Sequence, residues 1–100
     1  MKAKLRRNVI LRDWFSGIDK YQAKYGYYPA HIEMNRDTLM LMVNYLRRHP
    51  QYRLQWDGIT ECARDGHGNV IVEWKREYIC FEGVEIIIKN NVENEVMRIW

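Results

Sequence analysis

The first half of the chain carries two helical patterns of apolar residues, separated by a short alternating segment. Apolar side chains recur at steps of three and four over residues 11–25, which predicts a helix, and Gly26 fits the left-handed position that ends one. Residues 31–34 alternate in polarity, as in a strand with one buried face. A second helical stripe covers residues 39–46, and Asn35 is its predicted N-cap. The two stripes predict a core that contains Phe15, Ile18, Leu39, Val43 and Leu46.

The second half of the chain alternates in the manner of strands. Predicted strands cover residues 52–56, 59–63, 70–74, 78–81 and 84–89. Asp57-Gly58 is predicted as a turn and residues 64–69 as a hairpin loop. Glu82-Gly83 suits either a tight turn or a bulge within one long strand. A last strand is predicted within residues 92–100, with Val96, Ile99 and Trp100 available for burial.

This order of elements predicts an α+β fold. We expect two helices packed on one face of a mainly antiparallel sheet of four to six strands. A chain of 100 residues has room for one core, so residues 1–100 form a single domain, with residues 1–8 as a flexible basic arm. Apolar residues make up 47% and charged residues 29%, which is typical of a folded chain. No apolar run has the length of about 18 residues that a membrane helix needs.

Charge is distributed unevenly along the chain. Residues 1–50 contain ten Lys and Arg against four Asp and Glu, a net charge of +6, whereas residues 51–100 contain six against nine, a net charge of −3. Five basic residues precede the first acid, namely Lys2, Lys4, Arg6, Arg7 and Arg12. Such a segment suits phosphate groups or an acidic partner, and its plainest interpretation is a solvated helix start with a frayed tail. Opposite charge in the two halves also suits self-association.

Aromatic residues make up 13% of the chain. Four of them follow the helical spacing, and core packing explains most of these four, namely Trp14, Phe15, Tyr21 and Tyr25. Tyr27 and Tyr28 adjoin Pro29 and cannot both face one core, so we expect one of them to contact a partner. Together with the five basic residues, these two tyrosines are the candidate interaction residues.

Residue types that carry chemistry occur without the spacing that a catalytic or metal site needs. Cys62 and Cys80 form no CxxC pair, and we expect both to be reduced and buried rather than reactive. The loop 65–69 has oxygen and nitrogen donors at alternate positions but departs from a calcium loop, and turn chemistry explains it. Ser16 has no neighbouring base. We therefore expect no enzymatic activity, no catalytic residue, no metal and no cofactor.

A passage in the middle of the chain is similar to one in the major capsid proteins of tailed phages. There a helix leads into P-x-x-I-x-M-N-x-x-T and a second helix, and the matching residues here are Pro29, Ile32, Met34, Asn35 and Thr38. The later run Phe81-Glu82-Gly83-Val84-Glu85-Ile86-Ile87-Ile88 also resembles a strand of that family, so the resemblance spans about residues 11 to 89. Capsid subunits are longer and interlock through an N-terminal arm and a β-hairpin loop, and we expect neither device here. The resemblance implies assembly and supplies no catalytic residues.

These observations favour a small phage- or prophage-derived structural or assembly protein that acts through protein–protein contacts. The partner is another protein or a second copy of the chain. The alternative is a small nucleic-acid-binding or regulatory module that uses the basic N-terminal helix. With no export signal in the sequence, we expect the host cytoplasm or the virion as its location, and no membrane partner.

Overall fold

In the computed structural model, which describes all 100 residues, two helices lie on one six-stranded sheet. The elements are β1 (Lys2–Lys4), α1 (Ile10–Tyr25), β2 (His31–Met34), α2 (Arg36–Leu46), β3 (Leu54–Arg64), β4 (Val70–Phe81), β5 (Val84–Ile88) and β6 (Val96–Ile99). The strand order is β1-β6-β2-β5-β4-β3, and only β2 and β5 run parallel. The predicted α+β fold is confirmed. Neither helix combines the length and apolar character needed to cross a membrane.

Local sequence signals end and begin the helices as predicted. Gly26 follows α1 with a φ of 78° and donates its N–H to the carbonyl of Gln22. This left-handed conformation costs glycine little because it has no Cβ. The side chain of Asn35 accepts a hydrogen bond from the N–H of Thr38 at 2.8 Å and so caps α2.

One face of the sheet carries the core, and both helices pack against it. Alternate residues of the central strands are buried on this face, among them Ile32, Ile79, Phe81, Val84, Ile86, Met97 and Ile99. Leu39, Leu46 and Ile18 are buried as predicted, whereas Phe15 and Val43 are half-buried at the margin.

Gly17 is the point at which α1 comes closest to the sheet. A Cβ at this position would collide with the side-chain end of Met97 and lie 3.3 Å from both Ala3 and Ile99. The absence of a side chain therefore lets α1 sit directly on β1 and β6.

The predicted turn at Asp57-Gly58 is wrong, because both residues lie inside β3. They pair with Tyr78 and Glu77 of β4, and the φ of Gly58 is not positive. A partner strand that continues through residues 75–77 keeps β3 extended here, so a turn-type dipeptide forms no turn. Glu82 and Gly83, in contrast, have φ values of 50° and 78° and form the tight turn between β4 and β5.

The N-terminus is a strand rather than a flexible arm or a helix start. Residues 2–4 form β1 and pair with β6, and Leu5 is 1% exposed. Burial of this leucine draws the preceding residues onto the sheet edge. The C-terminal expectation is confirmed for Ile99, which is buried together with Met97, and needs correction for Trp100, which is 52% exposed. Inward-facing positions in β6 are the odd ones, so Trp100 faces the other side and stacks on His31.

The molecule is elongated because β3 and β4 extend beyond the rest of the sheet. Its radius of gyration is 15.6 Å and its principal extents are 50 × 31 × 28 Å. A compact domain of this length has a radius of gyration of about 13 Å. The hairpin predicted around the loop 64–69 is therefore present, and its two strands are longer than predicted.

Candidate protein interface

The outer part of the β3–β4 hairpin has no third strand. β4 pairs with β5 only at Ile79, Cys80 and Phe81, whereas its pairing with β3 continues to Val70. Residues 58–77, called the distal hairpin below, therefore form a two-stranded ribbon. Such a ribbon is marginally stable by itself and leaves backbone groups free along both outer edges.

The two faces of the distal hairpin differ in polarity. One face is turned to the same side of the sheet as the helices, as Ile79 and Phe81 are. This face carries Glu73, Lys75 and Glu77. The ion pair between Arg36 of α2 and Glu77, at 3.8 Å, agrees with this orientation.

The side turned away from the helices carries four apolar residues together with Glu61 and Arg76. Cross-strand pairs place Ala63 beside Val72 and Trp74 beside Glu61, with Ile59 one step nearer the base. We call Ile59, Ala63, Val72 and Trp74 the apolar hairpin face.

Exposed apolar side chains are concentrated on this hairpin. Eight large apolar side chains of the protein are exposed, and four of them are consecutive or nearly so on β4, namely Val70, Ile71, Val72 and Trp74. Ile71 is 64% exposed and sits at a bulge that shifts the register between Ala63 and Arg64. Exposed apolar residues that adjoin one another are typical of protein–protein contact surfaces, so this hairpin is a candidate for one.

A polar network holds Trp74 in place at the edge of the apolar hairpin face. The indole Nε1 donates to Glu61 at 3.1 Å, and the guanidinium of Arg76 donates to Glu61 at 2.6 Å and to Glu85 at 3.1 Å. The hydrogen bond from Arg76 lowers the pKa of Glu61, and its two carboxylate partners raise the pKa of Arg76. The polar atom of the indole is thus satisfied within the chain, which leaves the ring for apolar contact.

Asp65 organises the tip of the hairpin. Its carboxylate accepts the N–H groups of His67 at 2.8 Å and Asn69 at 3.0 Å, while Gly68 adopts a φ of 84°. These backbone donors, Asn69 first, lower the pKa of Asp65. The carboxylate is therefore used in the turn, in line with the turn interpretation of residues 65–69.

The five basic residues of the N-terminus are only partly grouped: Lys2, Lys4 and Arg6 line one cavity of about 400 Å³, and the other two lie outside it. Arg6 binds Asp13 through its backbone N–H, Nε and Nη2 at 2.9 to 3.0 Å, and Arg7 pairs with Glu95 at 3.3 Å. Lys2 and Lys4 lie on β1 at the sheet edge and form no ion pair, and Arg12 lies exposed on α1.

Tyr27 and Tyr28 lie apart from both the hairpin and the basic residues. Tyr27 is 58% exposed and packs edge-on against Tyr21, which also contacts Tyr25. The hydroxyl of Tyr28 donates to the carbonyl of Glu82 at 3.1 Å. Each of the two side chains therefore makes a contact within the chain, in addition to its exposed surface.

Potential ligating side chains are dispersed over the fold. Cys62 and Cys80 are both free and half-buried, which corrects the expectation of full burial. No three His, Cys, Asp or Glu side chains come together in a way that could hold a metal ion. The feature to which sequence patterns gave no role is the apolar hairpin face.

No protein-family model, curated protein sequence or solved structure matches the chain.

Proposed function

We propose that the chain is a small structural or assembly protein of phage or prophage origin, in the host cytoplasm or the virion, that acts through protein–protein contacts. In this proposal the distal hairpin is the contact element, and no catalytic residue or cofactor is involved. The observation that supports it is the group of four exposed apolar side chains on β4, on a ribbon that projects from the domain; they are Val70, Ile71, Val72 and Trp74.

Two physical properties of the hairpin suit a protein partner. A buried Trp flanked by aliphatic side chains contributes strongly to protein interfaces, and Trp74 lies beside Val72 on one face. The backbone along the outer edges of β3 and β4 has no strand partner beyond Tyr78, which permits pairing with an added strand. Both properties favour contact with a protein over contact with a small molecule.

A nucleic-acid-binding module is the alternative. Two of the five basic residues that suggested it, Arg6 and Arg7, are occupied by carboxylates of the same chain. Their positive charge is therefore partly neutralised, which weakens attraction to phosphate. The protein–protein proposal has the more direct support, and nucleic acid is an outcome of its test.

Site-specific photo-cross-linking tests the proposal. A benzophenone amino acid is placed at Val72, on the apolar hairpin face, in the full chain expressed in cells that carry its gene. The matched control carries the same amino acid at Lys75, which lies on the same strand but on the opposite face. From Val72 we expect an adduct with one defined protein, either another protein or a second copy of the chain. From Lys75 we expect a much weaker adduct.

The identified partner is then purified and its binding to the chain is measured with and without Trp74→Ala. We expect the substitution to weaken binding by about tenfold or more. Equal adducts from Val72 and Lys75, or an adduct removed by nuclease, would overturn the proposal.

A further inference from the structure

The sheet has a second surface that the helices leave uncovered. We call the side turned away from the helices the open face; the apolar hairpin face is its outward continuation. None of the open-face residues in β1, β6, β2 and β5 is buried, whereas their neighbours on the helix side include Ile32, Ile86 and Met97, each 3% exposed or less.

The two edges of the open face carry charges of opposite sign. The strand register places one row of side chains across it, and Tyr78 follows Ile87 because Ile79 pairs with Ile86. The row runs Lys2, Arg98, Glu33, Ile87, Tyr78, Asp57 from β1 to β3. Lys2 and Arg98 thus lie at the β1 edge and Asp57 at the β3 edge, and Glu33, Ile87 and Tyr78 lie between them.

The adjacent row of side chains on the open face also contains aromatic and polar residues. Trp100 stacks on His31, His31 pairs across strands with Glu85, and Glu85 is followed by Cys80 and Gln55. Trp100 and Gln55 are exposed and the other three are half-buried.

We infer that two copies of the chain pack through their open faces around a two-fold axis that lies in the interface and runs along the strands. This inference deepens the proposed function, on which it rests, by naming a second copy as the partner. Rotation about such an axis places β1 of one copy over β3 of the other. Because the face is basic at one edge and acidic at the other, it is complementary to itself in this orientation and repels itself when like edges meet.

The row positions give the contacts of this dimer. Lys2 lies over Asp57 of the second copy, and Arg98 lies over the ring of Tyr78 of the second copy. His31 lies over Glu85 of the second copy, and Glu33 lies over Ile87. A guanidinium over an aromatic ring is favourable. Within its own chain the Arg98 guanidinium also donates to the carbonyl of Asn91 at 3.0 Å.

The orientation also includes the hairpins. β1 runs from Lys2 to Lys4 toward the same end of the sheet as the hairpin tip, so each distal hairpin extends past β1 and β6 of the other copy. Ile59 of each hairpin then lies over Lys4 of the other copy, because these two residues occupy the same row of the sheet.

Charge reversal with exchange of partners tests the inference. Sedimentation velocity of the purified full chain is measured at low salt from about 1 to 100 µM, a range suited to a mixed polar and apolar interface. We expect a dimer for the natural sequence. The variant K2E/K4E makes both edges acidic, and the variant Q55K/D57K makes both edges basic while it leaves the Arg76 network intact. Each variant alone is expected to dimerise at least about tenfold more weakly.

An equimolar mixture of the two variants is the decisive sample. Opposite charges then meet at both edges, so we expect a mixed dimer. Two controls change charge equally on exposed α1 positions, K20E/K24E for the acidic variant and D19K/Q22K for the basic one, and should dimerise like the natural sequence. Far-UV circular dichroism checks that every variant is folded.

A monomer at every concentration, no recovery in the mixture, or species larger than a dimer would overturn the inference. The outcome is separable from that of the proposed function. An adduct from Val72 with a different protein, together with a monomeric chain, would contradict the two-fold dimer and leave the assembly role standing. A dimer sensitive to charge reversal with no adduct from Val72 would support the dimer and overturn the role of the hairpin.

Discussion

The two ends of β4 place similar side chains in opposite surroundings. Ile79 and Phe81 are 1% and 0% exposed, whereas Ile71 and Val72 are 64% and 52% exposed. At the base of the strand, β5 lies alongside and the helices cover one face. At the outer end only β3 is present, and the apolar side chains of Val72 and Trp74 lie on the face away from the helices. Apolar strand residues in this chain therefore build a core at one end and an exposed surface at the other.

Truncation at the base is expected to have the largest effect on stability. Phe81→Ala removes a ring that contacts Trp14 edge-to-face at 5.3 Å, and should lower the free energy of unfolding by about 3–5 kcal/mol. The same type of truncation at the outer end, Val72→Ala, should cost less than about 0.5 kcal/mol. Urea denaturation followed by circular dichroism measures both. Equal losses would show that the two ends of β4 share one core.

Overpacking beneath α1 should have the next largest effect. Gly17→Val inserts a branched side chain where even a Cβ collides with Met97, and should cost about 1–3 kcal/mol. Gly66→Val at the hairpin tip is the matched control, because a Cβ there meets nothing within 4 Å and φ is not positive. Thermal denaturation of both variants compares a close-packed position with an open one, and a Gly17→Val protein as stable as the control would contradict the close approach of α1.

The Asp13–Arg6 contact should contribute a smaller amount that depends on pH. The hydrogen bond from the Arg6 side chain lowers the pKa of Asp13, so the contribution is present above the unfolded-state pKa of about 4 and is lost as pH falls through the lower folded-state value. Arg6 is largely exposed, so Asp13→Asn should cost only about 1 kcal/mol at neutral pH. Denaturation at neutral pH and below pH 3 measures the difference between the two proteins. A difference that stays constant with pH would rule out the ionised carboxylate as its source.

The outer end of β4 should show the smallest effect on stability. Ile71→Ser is expected to change the free energy of unfolding by no more than about 0.5 kcal/mol, because the side chain contacts solvent in the folded protein. Backbone amides of the distal hairpin should also exchange hydrogen faster than those of β5, which has a strand on each side. Mass spectrometry of exchanged peptides compares the two segments, and equal protection would mean that the hairpin is covered.

Local signals were sufficient for both helices and for β2. Gly26 and Asn35 act within one turn of helix, through backbone conformation and a capping hydrogen bond that need no distant residue. The tight turn at Glu82-Gly83 is equally local. The Asp57-Gly58 prediction failed because a long partner strand outweighed the turn preference of the dipeptide.

The sequence did not predict the candidate interface. The run of basic residues at the N-terminus indicated a contact surface, but Arg6 pairs with Asp13, and Arg7 pairs with Glu95, which lies 88 residues further along the chain. The signal for the hairpin was the run of Val70, Ile71 and Val72, which is apolar on both faces and flanked by a polar loop. A strand that pairs on one side only and a strand buried in a sheet carry the same run, so pattern alone does not separate them.

The sequence by itself determined the helices, their caps, the α+β class and the apolar alternation of the strands, because each depends on residues near one another in the chain. Tertiary structure alone decided that residues 2–4 join the sheet, that β3 continues through Gly58, and that Trp74 faces away from the helices. Those outcomes depend on which strand lies beside which and on the area that α1 and α2 can cover. Two helices cover the base of the sheet and end before the distal hairpin, so identical apolar patterns become core at one end and surface at the other.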